Sequence, residues 1–331
     1  MHCESWCSLS DEELGQRDIA EVNLAAAFGL PYADSLDISA LRYKLDGWTD
    51  IVRRVTDRAL LRRTRELCLQ KYSEAQLRIL AMVTVLQRDL GIRYNLAFME
   101  GEYDASDSHN LFIHGPLTGR GFTCVTAPVI YAAIGRRLGY PIKLVHAKEH
   151  TFCRWDEQDG ERFYIEATSP GLTMPPDEVY CKWPKPITPE EVKRDRYLCS
   201  LSPREELAFF ISQRGCCCMD NLETFHAMEA FYYAHKLIPD LPVYGKYWAV
   251  STIMHRLAHG TNLPVGTQAH VSQEKPTPSL RILPLPGKKW EKPFLPLALE
   301  HLNRINRIGR NRRAKCDASA HNKVFQQMAM N

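Results

Sequence analysis

Gly121-Phe122-Thr123-Cys124, running on through Val125-Thr126-Ala127-Pro128 to Gly139-Tyr140-Pro141, is the stretch on which the reading of this chain turns. Ile130, Ile134 and Leu138 recur at four-residue steps with Ala127 and Ala133 beside them, the period of a helix with an apolar stripe. Gly139, Tyr140 and Pro141 stop it. Pro128 has no amide hydrogen and would clash with the preceding turn deeper in a helix, so it must lie within about the first turn. The pattern therefore predicts a helix over 125–138 that starts close to Cys124. A cysteine there sits at the positive end of the helix, where a thiolate is favoured. Free backbone amides at that end can also stabilise an oxyanion. Taken alone, Cys124 reads more readily as a small buried apolar residue, the commonest role of an unpaired cysteine.

Downstream, short apolar runs predict strands at 142–147, 151–155 and 162–167, with His150 opening the second and Glu166 near the end of the third. The last two form a hairpin across Asp156 to Gly160. With a loop centred on Gln158, His150 and Glu166 lie directly opposite on one face, where a carboxylate can hold an imidazole in one tautomer. With a two-residue Asp159-Gly160 turn instead, His150 faces Ser169. Asp156 is a rival orienter, but at ~3.3 Å per residue its place along the same strand puts it roughly 20 Å away. His146 and His114 are rival bases, each also readable as a satisfied polar residue.

Working outward, residues 10–92 read as helices. Ser10 stands before Asp11, Glu12 and Glu13 as an N-cap, and Ile38, Leu41, Leu45, Trp48, Ile51 and Val52 mark one amphipathic face. Leu77, Ile79, Leu80, Val83 and Leu86 mark another. Residues 101–120 read as a polar loop around Leu111-Phe112-Ile113, and 171–200 are proline-rich and irregular. Helical patterns return at 203–213, 222–237 and 244–259. A proline-dense strap at 263–296, a short helix at 297–308 and a basic tail follow. The expected organisation is an N-terminal helical region (1–100), a core (101–200), a helical unit (201–260) and a linker with tail (261–331). The fold class is α+β.

Composition narrows the classes of function. The chain has 331 residues, 45% apolar, with 42 basic against 39 acidic residues for a net charge of +3, too balanced for a general nucleic-acid or membrane-surface binder. No run approaches the ~20 apolar residues of a membrane span, and residues 1–14 lack the basic-then-apolar order of a secretory signal. The expectation is a cytoplasmic protein whose 11 cysteines, odd in number and scattered, are mostly reduced. Cys216, Cys217 and Cys218 with His226 are poorly placed to share one ion, because three consecutive helical residues point apart. His255 and His259 have the spacing of a helical zinc pair but lack the glutamate that a metalloprotease pattern requires. No metal and no cofactor are expected. Arg304, Arg307, Arg310, Arg312, Arg313 and Lys315 leave the tail as the one place for nucleic-acid contact, though such a run is more often a solvated terminus.

Cys124 at a helix start, then Gly135-Arg136-Arg137-Leu138-Gly139-Tyr140-Pro141, then His150 with Phe152 and Trp155, then Ile165-Glu166-Ala167-Thr168 resembles the transglutaminase-like superfamily. Within it, the chain looks most like bacterial SirB-type proteins, over roughly residues 15–245. The resemblance implies a papain-like core, a catalytic helix on a small antiparallel sheet, flanked by N-terminal helices and tetratricopeptide-like C-terminal helices. Gly215, Ala227, Phe231, Ala234 and Pro239 have the spacing of one such tetratricopeptide unit. The resemblance also implies that Cys124 attacks an amide or ester carbonyl, His150 shuttles the proton and Glu166 orients the imidazole. Its acid is Glu where the superfamily commonly has Asp. Three readings follow. The first is cysteine-nucleophile acyl transfer, by hydrolysis or transamidation, on a peptide or protein substrate. The second is a catalytically silent scaffold that binds a protein partner through its C-terminal helices. The third is a redox sensor built on Cys124.

Overall fold

The computed structural model describes residues 3–95, 104–259 and 296–307, apart from 302 and 306. The proline-dense strap, except its last residue, and the tail beyond Arg307 lie outside these residues, as do 101–103 of the polar loop.

N-terminal helices form the first layer: α1 Ile19–Ala27, α2 Ile38–Arg63 and α3 Glu74–Val83. Local chemistry fixes their starts. Ser10 and Glu13 close a reciprocal capping box on the short helix Asp11–Gly15, Asp18 and Asp37 cap α1 and α2, and Ser73 with Gln76 boxes the start of α3. Leu41, Leu45, Trp48 and Val52 are buried along the predicted face of α2. After α3 the chain widens into a π-helical turn, Thr84–Asp89.

Helix α4, Thr126–Arg137, lies at the centre of the molecule. Residues 126–135 are all buried, so the helix is enclosed on every side rather than along one stripe. The reason is that α1 and α2 pack against it from the N-terminal layer and the first two strands from the other side. It ends where glycine permits a left-handed residue: Gly139 has φ 76°, its N–H donates to the Arg136 carbonyl, and the Tyr140 N–H reaches the Gly135 carbonyl.

Strands β1 Ile142–Ala147, β2 His150–Asp156 and β3 Arg162–Ile165 make one antiparallel sheet in sequence order. Ala147 pairs with His150 across the two-residue loop Lys148-Glu149, with Glu149 at φ 64°. Cys153 and Trp155 belong to the main core, whereas Phe152 joins Val145, Ala147, Tyr164, Tyr180 and Ile187 in a second cluster on the other face. That face is covered by α5, Asp177–Tyr180, and the segment after it.

Three further helices, α6 Pro203–Asp220, α7 Thr224–Leu237 and α8 Pro242–His259, stack in sequence order, α6 on α7 and α7 on α8. Helix α6 also packs on α1. The main apolar cluster accordingly runs from Leu14 to Ala298 without a break between N- and C-terminal helices. No helix among the described residues is long and apolar enough to cross a membrane.

Candidate active site

Cys124 owes its position to Thr123. The Thr123 hydroxyl oxygen accepts the amides of Val125 (3.3 Å) and Thr126 (3.1 Å), the Thr126 hydroxyl accepts the Thr123 amide (2.9 Å), and the Ala127 amide reaches the Thr123 carbonyl (3.0 Å). Thr123 is thus the effective N-cap and Cys124 the first residue of the helical path, half-buried. Pro128, having no N–H, cannot bond the Cys124 carbonyl four residues back. The helix start expected from Pro128 is where the cysteine sits.

His150 and Glu166 meet. Nε2 of His150 lies 2.8 Å from Oε2 of Glu166, with the two residues only 7% and 3% exposed. With Nε2 taken by Glu166, Nδ1 is the imidazole nitrogen left for the hydrogen bond to Cys124. The register that brings them together is neither of the two expected ones: Asp156 pairs with Arg162 and Cys153 with Ile165, which centres the loop on Asp159 (φ 57°). Strand β3 stops at Ile165, short of the expected 167, because Glu166 forms an isolated bridge with Thr173 and turns its side chain onto Thr168. His150 and Glu166 are consequently diagonal rather than opposite neighbours on the same face.

The carboxylate is fully occupied. Oε1 accepts the amide (2.9 Å) and hydroxyl (2.6 Å) of Thr168, and Oε2 accepts the Tyr180 hydroxyl (2.9 Å) besides His150. Tyr180 is fully buried and its ring lies flat on Phe152, 3.8 Å between centroids. Gln87, presented by the π-helical turn, ties down the loop that carries Thr168: its Nε2 donates to the Ser169 carbonyl (3.0 Å) and its Oε1 accepts the Gly171 amide (2.8 Å). Trp183, 48% exposed, packs edge-on against the His150 ring, 4.8 Å between centroids, and forms a wall of the site.

Electrostatics follow from this packing. Burial works against a charged His150, but the hydrogen bonds and charges of Cys124 and Glu166 outweigh it and lift the imidazole to about 9. Burial alone would raise Glu166; the His150 bond and charge and the Thr168 bonds hold its carboxyl below the ordinary value. The arrangement favours an imidazolium beside a half-buried thiol.

The rival residues have other duties. Asp156 pairs with Arg162 (2.9 Å) at the far end of β2. His146 is 3.0 Å from the Thr151 hydroxyl and packs on Phe209, and His114 is 3.1 Å from the Ser108 hydroxyl; burial pushes both down to about 4. Cys217 and Cys218 are fully buried, and burial pushes the Cys216 thiol up to about 12. Nδ1 of His255 meets the Thr224 hydroxyl at 2.9 Å. Among the described residues no group of three or more His, Cys, Asp or Glu is arranged to hold a metal ion. Sequence reasoning missed Tyr180, Thr168, Gln87 and Trp183. Tyr180 and Trp183 lie in an aperiodic proline-rich stretch, and Gln87 was hidden in a helical pattern that the π-turn rotates; only the Thr168 hydroxyl two residues past Glu166 had a local signal.

No curated protein and no solved structure matches the chain. A family model does: residues 46–208, which contain Cys124, His150 and Glu166 and end in the first turns of α6, match that of the transglutaminase-like superfamily.

Proposed function

We propose that this protein carries out acyl transfer through a Cys124 nucleophile, His150 as proton shuttle and Glu166 as the group that orients the imidazole, acting on an amide or isopeptide of a peptide or protein. The observation that carries this reading is the buried 2.8 Å His150–Glu166 pair, with His150 also hydrogen-bonded to the half-buried Cys124 at a helix start. The Cys124 thiolate attacks the carbonyl carbon, a C–S bond forms and the carbonyl π pair moves to oxygen. When the tetrahedral species collapses the C–N bond breaks, and the imidazolium gives its Nδ1 proton to the departing amine. Water or a second amine, losing a proton to His150, then attacks the thioester, and the C–S bond breaks to return the thiolate. The first acceptor makes the protein a hydrolase and the second a transamidase.

The superfamily match supports cysteine-based chemistry. We further read the whole chain as a SirB-type protein of the cytoplasm with tetratricopeptide-like helices. The silent-scaffold alternative is less well supported. Helices α6 to α8 commit their apolar faces to one another and to the shared core, with Leu207, Ala208, Phe210, Ala227, Phe231 and Ala249 at 3% exposure or less.

The test is alkylation of the native protein by iodoacetamide as a function of pH, resolved by residue. Cys124 is expected to stay reactive below pH 7, where ordinary thiols fall silent, and to lose that reactivity in His150→Ala. A Cys124 no more reactive than the background in Cys124→Ala protein would sink the proposal.

A further inference from the structure

We infer that Tyr94 is a catalytic residue of this same site: its phenol hydroxyl, with the Cys124 amide, forms the oxyanion hole. The inference rests on the Cys124 nucleophile proposed above and adds a group that neither the sequence reading nor the family match supplies.

The helix start explains why a second donor is needed. Thr123 consumes the amides of Val125, Thr126 and Ala127. The Cys124 amide is therefore the donor left at the helix end for an oxyanion forming on a carbon bound to its own sulfur. One amide alone is half of such a site, since a tetrahedral oxyanion is held best by two converging donors.

Tyr94 is built into the place where the second donor belongs. Its backbone forms a parallel bridge with Phe122, the Phe122 amide donates to the Arg93 carbonyl (2.8 Å) and the Asn95 amide to the Phe122 carbonyl (2.7 Å). This close strapping needs Gly121: its φ is 84°, and a Cβ there would stand 2.7 Å from the Arg93 carbonyl oxygen. The segment carrying Tyr94 is thus pinned to the residues immediately before the nucleophile. From there the Tyr94 hydroxyl comes within hydrogen-bonding reach of both the backbone amide and the thiol of Cys124, the two side chains packing on the same core. Burial, the first cause, and the neighbouring Cys124 charge raise the phenol well above its ordinary value, so it keeps its proton and stays a donor.

During acylation the Cys124 sulfur bonds to the carbonyl carbon and the π pair moves to oxygen. The Tyr94 O–H and the Cys124 N–H each exchange their resting partner for that oxygen. No proton leaves Tyr94; the leaving amine is protonated by His150. Tyr94 therefore favours reaction at a carbonyl and does nothing for substitution at a saturated carbon, which forms no oxyanion.

That difference gives the test. Full-length wild type and Tyr94→Phe are acylated with p-nitrophenyl acetate and, separately, alkylated with iodoacetamide, both read at Cys124 against a Cys124→Ala background. Tyr94→Phe is expected to slow acylation about 100-fold while alkylation at the pH plateau changes by less than about 3-fold. Tyr94→Gln, which restores a donor, should recover part of the acylation rate. Equal losses in both reactions would mean that Tyr94 only positions the thiol, and no loss in either that it is a bystander; each overturns the inference. A Tyr94→Phe protein that no longer unfolds cooperatively would make the Tyr94→Gln protein the deciding variant, with acylation as slow as the background counting against the inference. If wild-type Cys124 failed to react above background with either reagent, the nucleophile reading itself would fall and take this one with it.

Discussion

Glu166 is the residue through which most of the site's order passes, because each of its carboxylate oxygens accepts two hydrogen bonds. Replacing it by Gln keeps the shape but removes the charge that, with Cys124, lifts His150 to about 9. Glu166→Gln should move the alkaline limb of acyl transfer, which falls as His150 loses the proton it gives to the leaving amine, to lower pH by about one unit or more. It should also slow acyl transfer roughly 100- to 10⁴-fold, read by a pH–rate profile. Stability carries the same signature. His150 titrates above its ordinary 6.5, so its proton stabilises the fold fully below that pH, and the contribution is lost as pH rises through about 9. Glu166 is held below its ordinary 4.5, so its contribution is present above that pH and is lost as pH falls. Denaturant melts of Glu166→Gln should show a flatter alkaline decline than wild type. Tyr180→Phe is the gentler probe: the ring still stacks on Phe152, but a buried donor to a carboxylate is gone. We expect a loss of about 1.5–3 kcal/mol in urea unfolding.

At the scale of elements, the sheet shows what the sequence could and could not convey. Strand pairing has a period of two, so the Gln158-centred loop and the observed Asp159-centred loop differ by one in their centre but preserve the parity that puts His150 and Glu166 on one face. The Asp159-Gly160 turn would have reversed it. The short apolar run of β2 and the helix of α4 were legible because both report burial, though α4 is enclosed on every side and not along the expected stripe alone. The extent of β3 was not, because its end is decided by the Glu166 side chain bonding to Thr168, a competition that no periodicity records. Close approach between helices was legible where a glycine marks it. Gly215 on α6 faces the Phe231 ring of α7, and a Cβ would lie 2.8 Å from the ring edge. Phe231 is fully buried and stacks on Tyr247, so it has nowhere to retreat. Gly215→Ala gains about 1 kcal/mol of helix propensity but should lose about 2–3 kcal/mol to overpacking. The net fall is measurable in a urea melt, with Cys124 alkylation unchanged.

The whole molecule closes around α4 through charges as well as apolar contacts. Arg136, in the last turn of α4, donates from Nη1 to Glu206 of α6 at 2.9 Å and from Nε to the Ile142 carbonyl at 2.9 Å, joining helix, sheet and C-terminal layer. The Glu206 side chain is only 6% exposed, whereas that of Arg136 is 30% exposed, so solvent weakens the pair. Glu206→Ala should cost about 2–3 kcal/mol, below the fully buried case, and the double variant with Arg136→Met should cost less than the sum of the two single changes. The same geometry bears on how far the matched segment can stand alone. The match ends at residue 208, inside α6, yet α6 continues to Asp220 and packs on α1, which precedes the matched residues. Arg214 on α6 donates to the carbonyls of Ala26 (3.0 Å) and Phe28 (2.8 Å), and Arg204 donates to the Leu9 carbonyl (2.9 Å). A fragment of residues 46–208 would therefore expose the faces of α2 and α4 that α1 covers and would lose most of α6 with them. Large apolar faces left open favour aggregation or a loosely packed state. We expect that fragment to lack a cooperative thermal transition, whereas residues 3–259 retain one. Cooperative unfolding of the short fragment, seen by calorimetry, would show that the core folds without its helical flanks.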